Sequence, residues 1–112
     1  MATTPEFVEY VLDQAEGPWL LRSKKMFGEY MVYVNDKPIL LVCDNQVFVK
    51  ILPELDEAMK GRETGFPYEG AKEHYVLDMD DTEHVREVIG ILEPITALPK
   101  PRKRKGAAKS EM

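Results

Sequence analysis

The sequence is poor in the residues that most often carry chemistry. One cysteine in 112 residues, Cys43, excludes an internal disulfide framework and fits a reducing compartment. It stands in the apolar run ILLVC with no basic neighbour to stabilise a thiolate, so it reads as a core residue. The two serines, Ser23 and Ser110, sit outside any G-x-S-x-G elbow, and the two histidines, His74 and His84, have no cysteine partner. Neither nucleophilic catalysis nor a zinc site is expected, and the sequence implies no cofactor. The segment from Gly61 to Gly65 lacks the Gly-Lys-Ser/Thr ending of a phosphate loop. No stretch approaches the roughly 20 apolar residues that cross a bilayer. The opening MATTPEFVEY carries acids where a secretory signal carries bases, so a cytoplasmic protein without a membrane partner is expected.

Charge is abundant and unevenly distributed. Residues 1–99 hold 9 Lys and Arg against 19 Asp and Glu, net −10, whereas residues 100–112 hold 6 against 1, net +5. This predicts one folded acidic domain over 1–99 and a basic, disordered tail over 100–112 that has almost nothing apolar to bury. The tail cations Lys100, Arg102, Lys103, Arg104, Lys105 and Lys109 are candidate contacts for nucleic acid or a partner. Six phosphate contacts would give a log-log salt slope no steeper than about −5, and the acidic body repels the same polyanion, so any such binding is weak and nonspecific.

The periodicity predicts the elements. Thr4 caps a helix with Pro5 in its first turn and Phe7, Val8, Val11, Leu12 and Ala15 on one face, ended by Gly17-Pro18. Residues 23–50 read as three strands, the apolar stretches being 30–34, 38–43 and 47–51. Asn35-Asp36 and Asp44-Asn45 supply side chains that tolerate left-handed turns between them. Met31 and Tyr33 alternate onto one side of the sheet. A short helix is expected in PELDEAMKG (53–61), then a loop with Gly65, Pro67 and Gly70, a strand over 74–79, and a last helix capped by Asp80 or Asp81. Pro94 lies inside that helix's apolar pattern and predicts a kink or interruption at 90–94. The acids Asp78, Asp80, Asp81 and Glu83 are a metal candidate by composition, but carboxylates at a helix start also serve as caps, and the calcium-loop glycine and later glutamate are missing. The fold class is α+β, a two-layer structure with an antiparallel sheet of about five strands and helices on one face.

Two motifs in order, Arg22-Ser-Lys-Lys-Met-Phe-Gly28 with the hairpin after it and Phe66-Pro-Tyr-Glu-Gly-Ala-Lys72 with Tyr75, and then Leu98-Pro-Lys-Pro, resemble the N-terminal domain of the TfoX (Sxy) competence regulators over residues 5–101. The resemblance implies a stand-alone antiparallel domain without catalysis. It further implies a regulatory or adaptor role through protein–protein contacts, for which the transcription machinery is one source of partner and self-association another. Lys24, Lys25, Tyr68, Lys72 and Tyr75 fall within these motifs and combine cations with aromatics, the chemistry of a cleft for an anion or a peptide, provided the 65–72 loop folds over the first strand. The alternative is rim tyrosines and solvated lysines. Nucleic-acid association through the tail and small-ligand binding in the cleft stand as the other functional classes.

Overall fold

A computed structural model of the chain describes residues 3–26 and 29–98. Helix α1 spans Pro5–Gln14. Strands β1 to β6 span Leu21–Met26, Glu29–Val34, Lys37–Cys43, Gln46–Lys50, Thr64–Gly65 and His74–Leu77, and helix α2 spans Thr82–Ile95. All strand pairs are antiparallel, and they form one sheet in the order β1-β2-β3-β4-β6-β5. This is the expected α+β arrangement with six strands rather than five. Among the described residues no helix is long and apolar enough to cross a membrane.

Local chemistry accounts for the element boundaries. Thr4 accepts a hydrogen bond from Phe7 N–H at the start of α1, and Asp81 does the same for His84 N–H at the start of α2. Each satisfies an amide that has no partner inside its helix. Asn35, Asp36, Asp44 and Asn45 all have positive φ, between 52° and 67°, so both hairpins turn through consecutive left-handed residues, the geometry whose twist matches the flanking strands. The strand expected to begin the sheet is preceded by another, β1, which pairs with β2 from Leu21 opposite Val34 to Met26 opposite Glu29.

Three other expectations are corrected. The PELDEAMKG segment forms a single 3-10 turn at Pro53–Leu55 and then turns to Gly61, whose φ of +74° ends it. Thr64–Gly65 leaves the loop to join β6. Helix α2 is not interrupted at 90–94: it runs unbroken to Ile95, and Pro94 falls in its last turn. Only the Gly90 carbonyl loses a helical partner there, and the helix stops one residue later, so the cost of proline is confined to a helix end. Thr96 N–H and its hydroxyl both donate to the Leu92 carbonyl and close that end.

Alternation decides what the core contains. Val32 and Val34 of β2, Leu40 and Val42 of β3, Val47 and Val49 of β4 and Leu77 of β6 share one face of the sheet. They are buried in one cluster with Val11 and Ala15 of α1 and Val85, Val88, Ile89 and Leu92 of α2. Both helices therefore lie on this face. A bulge sets Ile39 between the pairs Val32–Leu40 and Tyr33–Pro38, and it turns Ile39 into the same cluster. Leu55 and Met59 plug the core from the 53–61 turns, which are tied to α2 by the buried His84: its Nε2 meets the Ala58 carbonyl at 2.7 Å.

Candidate functional site

The opposite face of the sheet has no helix against it among the described residues. Met31 pairs with Leu41, Leu41 with Phe48, and Phe48 with Val76, so one apolar row crosses β2, β3, β4 and β6. Phe48 is fully buried. Gly65 passes so close that a Cβ on it would lie 3.6 Å from the Phe48 ring, and the His74 ring meets the same phenyl edge-on at 6.4 Å. Met31, Leu41 and Val76 are only half-buried, and none of them packs into the core cluster. One pair further along, Tyr33 stands opposite Arg22, whose guanidinium lies 4.2 Å from the ring centroid while its Nε donates to Asp36 at 3.1 Å. The face thus combines an apolar row with an aromatic and a held cation, side chains enriched where proteins bind one another.

Met31 and Tyr33 do share one side, as expected, and it is this open side rather than the core. Arg22 is the residue that site reasoning from the sequence passed over. It stands in the first motif, but only the pairing with Tyr33 shows that it lies on this face, and a cross-strand partner is not legible without the register.

The five residues expected to line one cleft are not brought together. Lys24 and Lys25 are exposed on β1, which forms one edge of the sheet. Tyr75 lies in β6, Lys72 just before it, and Tyr68 in the loop leading to it, 59% exposed, all at the other edge. Strands β2, β3 and β4 intervene, about 15–20 Å of sheet at the usual strand spacing. Tyr75 moreover faces the core side and packs against the core cluster. The strand order that separates the groups is set by long-range pairing, which two motifs in sequence do not encode. The tail cations Lys100, Arg102, Lys103, Arg104 and Lys105, like Gly28 of the first motif, lie outside the described residues.

The ionisable side chains mostly serve structure. Glu29 accepts hydrogen bonds from the Thr3 hydroxyl at 3.0 Å and Asp44 N–H at 3.2 Å, and Thr4 N–H donates to Asn45 at 3.0 Å, stitching the start of α1 to the β3–β4 turn. Cys43 is buried beside Glu29. Burial first, and then the Glu29 charge, pushes its thiol up to about 11, so it is neutral and unreactive near neutral pH. Lys37 donates to the Glu93 carbonyl at 2.7 Å and pairs with its carboxylate at 3.1 Å. That bond and one from Asn35 hold the Glu93 carboxyl below its ordinary value. In the acidic stretch Asp81 acts as the cap, Asp78 accepts from Asp80 N–H, and Asp80 accepts from the Tyr10 hydroxyl. Among the described residues no three His, Cys, Asp or Glu side chains converge where a metal ion would sit.

No protein-family model matches the chain. No solved structure does either. The chain is 36% identical over 108 residues to a protein of Spirochaeta aurantia described as an uncharacterised 12.7 kDa protein in the trpE 5′ region, a match that covers 94% of this chain and 93% of the relative. Likeness of that degree along nearly the whole of both chains means one ancestral fold, and the chain belongs to the same family as this spirochaete protein.

Proposed function

We propose that the protein is a non-catalytic regulatory or adaptor domain that binds another protein, as the resemblance of its two motifs to the TfoX N-terminal domain implies, and that it does so through the open face of the sheet. The observation that carries this reading is the row Met31–Leu41–Phe48–Val76, apolar across four strands, in which Phe48 is buried beside Gly65 and His74 while Met31, Leu41 and Val76 stay half-exposed with no described helix against them. A sheet face that meets only water usually alternates polar residues outward. Here the central outward positions are apolar, with Arg22, Lys24, Tyr33 and Lys50 around them, which suits a partner surface with an apolar centre and a polar rim.

A photocrosslinking residue placed at Leu41, on the open face, and separately at Glu9, on the solvent side of α1, tests the assignment in the native cell. The Leu41 probe is expected to give a discrete adduct that excess unlabelled protein competes away, while the Glu9 probe gives none. Adducts from Glu9 alone, or from neither position, would overturn it.

A further inference from the structure

A groove of about 370 Å³ opens beside the N-terminal end of α2, bounded by Phe7 and Tyr10 of α1, the start of β4 and residues 76–80. Its size lies at the lower end of the about 300–1,000 Å³ typical of binding pockets. Two features define its chemistry. Phe7 and Tyr10 form a tilted aromatic pair with centroids 5.9 Å apart, and Asp78 and Asp80 supply carboxylates at the rim. Aromatic walls with carboxylates at the mouth suit a long cationic side chain, its methylenes on the rings and its head on the acids. Glu6, Glu9 and Asp13 are exposed along the same helix as the aromatic pair and extend the negative field.

We infer that this groove is a docking site for the chain's own basic segment, residues 100–109. Charge complementarity argues for it: residues 100–109 hold six cations and no acid, net +6, and follow a body of net −10. Reach argues for it as well. Asp78 and Asp80 stand just before α2 and the basic segment begins just after it. The 14 residues of that helix span about 21 Å, and the seven residues from Leu98 to Lys105 extend to about 24 Å. Tethering makes the contact intramolecular and favours the more distal cations, Lys105 and Lys109, whose linker is long enough to span the helix. The contact is electrostatic and therefore screened by salt. While docked, the segment is withdrawn from any polyanion, so its exposure is set by competition between the groove and an outside partner.

The test uses the full chain carrying a nitroxide at Ala107→Cys, which leaves every tail cation in place. Cys43 is buried, with its thiol neutral, and escapes labelling. At about 0.1 M salt, amide signals of Gln46 and residues 76–80 are expected to broaden selectively, and the broadening is expected to vanish at about 1 M, where the Debye length falls to about 3 Å. Changing Arg102, Lys103, Arg104 and Lys105 to Gln, which leaves the folded body intact, is expected to abolish it, as is Asp78→Asn with Asp80→Asn. Uniform broadening, broadening centred on another surface, or persistence after tail neutralisation would overturn the inference. So would broadening that appears in a mixture of labelled tail and separately isotope-labelled body, because the contact would then join two copies.

Discussion

Gly17→Ala is the perturbation whose outcome the geometry specifies most closely. The single tryptophan, Trp19, folds back over this glycine and donates its indole N–H to the Ala15 carbonyl at 2.8 Å, sealing the C-terminal end of α1 against the core. A Cβ at position 17 would lie 2.7 Å from Cζ2 and 2.8 Å from Cε2 of the indole, distances at which something must move. The ring is rigid and anchored at its nitrogen, so the whole side chain is displaced. Losing the indole bond costs about 0.5–1.5 kcal/mol. Disturbed packing adds about 1–3 kcal/mol. Gly17 is not held at positive φ, so alanine restrains the unfolded chain and returns about 0.4–1 kcal/mol. The balance is a loss of about 0.5–4 kcal/mol, or roughly 4–8 °C in Tm for each kcal/mol in a domain of this size. Because no other tryptophan contributes, emission reports on this ring alone, and a shift to longer wavelength should accompany the fall in Tm. In a Trp19→Leu background the same glycine substitution should become neutral or stabilising, the sign of a direct coupling. Unchanged emission with a raised Tm in the single variant would refute the reasoning.

Other consequences follow from buried and paired groups. His84→Phe should lower stability by about 1–3 kcal/mol in chemical denaturation, because the Ala58 carbonyl loses its donor inside the fold. Cys43 should resist thiol reagents at pH 8 in the folded protein and react on unfolding. Its folded value of about 11 lies above the ordinary 9.0, so its contribution to stability is complete below pH 9 and declines as pH rises toward 11, which alkaline melting curves check. Glu93 has the opposite sign. Its carboxyl is held below 4.5, so wild type should melt above Glu93→Gln at neutral pH, and the gap should close as pH falls below 4.5 through the depressed value.

What was legible in the sequence was local. Thr4-Pro5 and Asp81 announce helix starts because capping is a short-range hydrogen bond, and the Asn-Asp and Asp-Asn pairs announce the hairpins because few residues accept consecutive positive φ. Strand β1 was not legible: LRSKKM has no apolar alternation, since as an edge strand it exposes Arg22, Lys24 and Lys25, a composition that also blunts edge-to-edge pairing. The two residues of β5 are ordered only by β6 and carry no signal of their own. The candidate site depended on the same long-range information. Motif membership grouped Lys24 and Lys25 with Tyr75, whereas the strand order puts them at opposite edges and assembles instead Met31, Leu41, Phe48 and Val76, one residue from each of four strands.

The central claim, that the open face is kept apolar for a partner and not for the fold, is tested most directly by Met31→Lys combined with Leu41→Lys, followed in parallel by thermal melting and by crosslinking from an unchanged position on the same face, Val76. Both side chains lie outside the core cluster, so the account predicts a Tm within a few degrees of wild type together with loss of the adduct. A variant that keeps the adduct, or one that unfolds because these residues hold the sheet together, would contradict it.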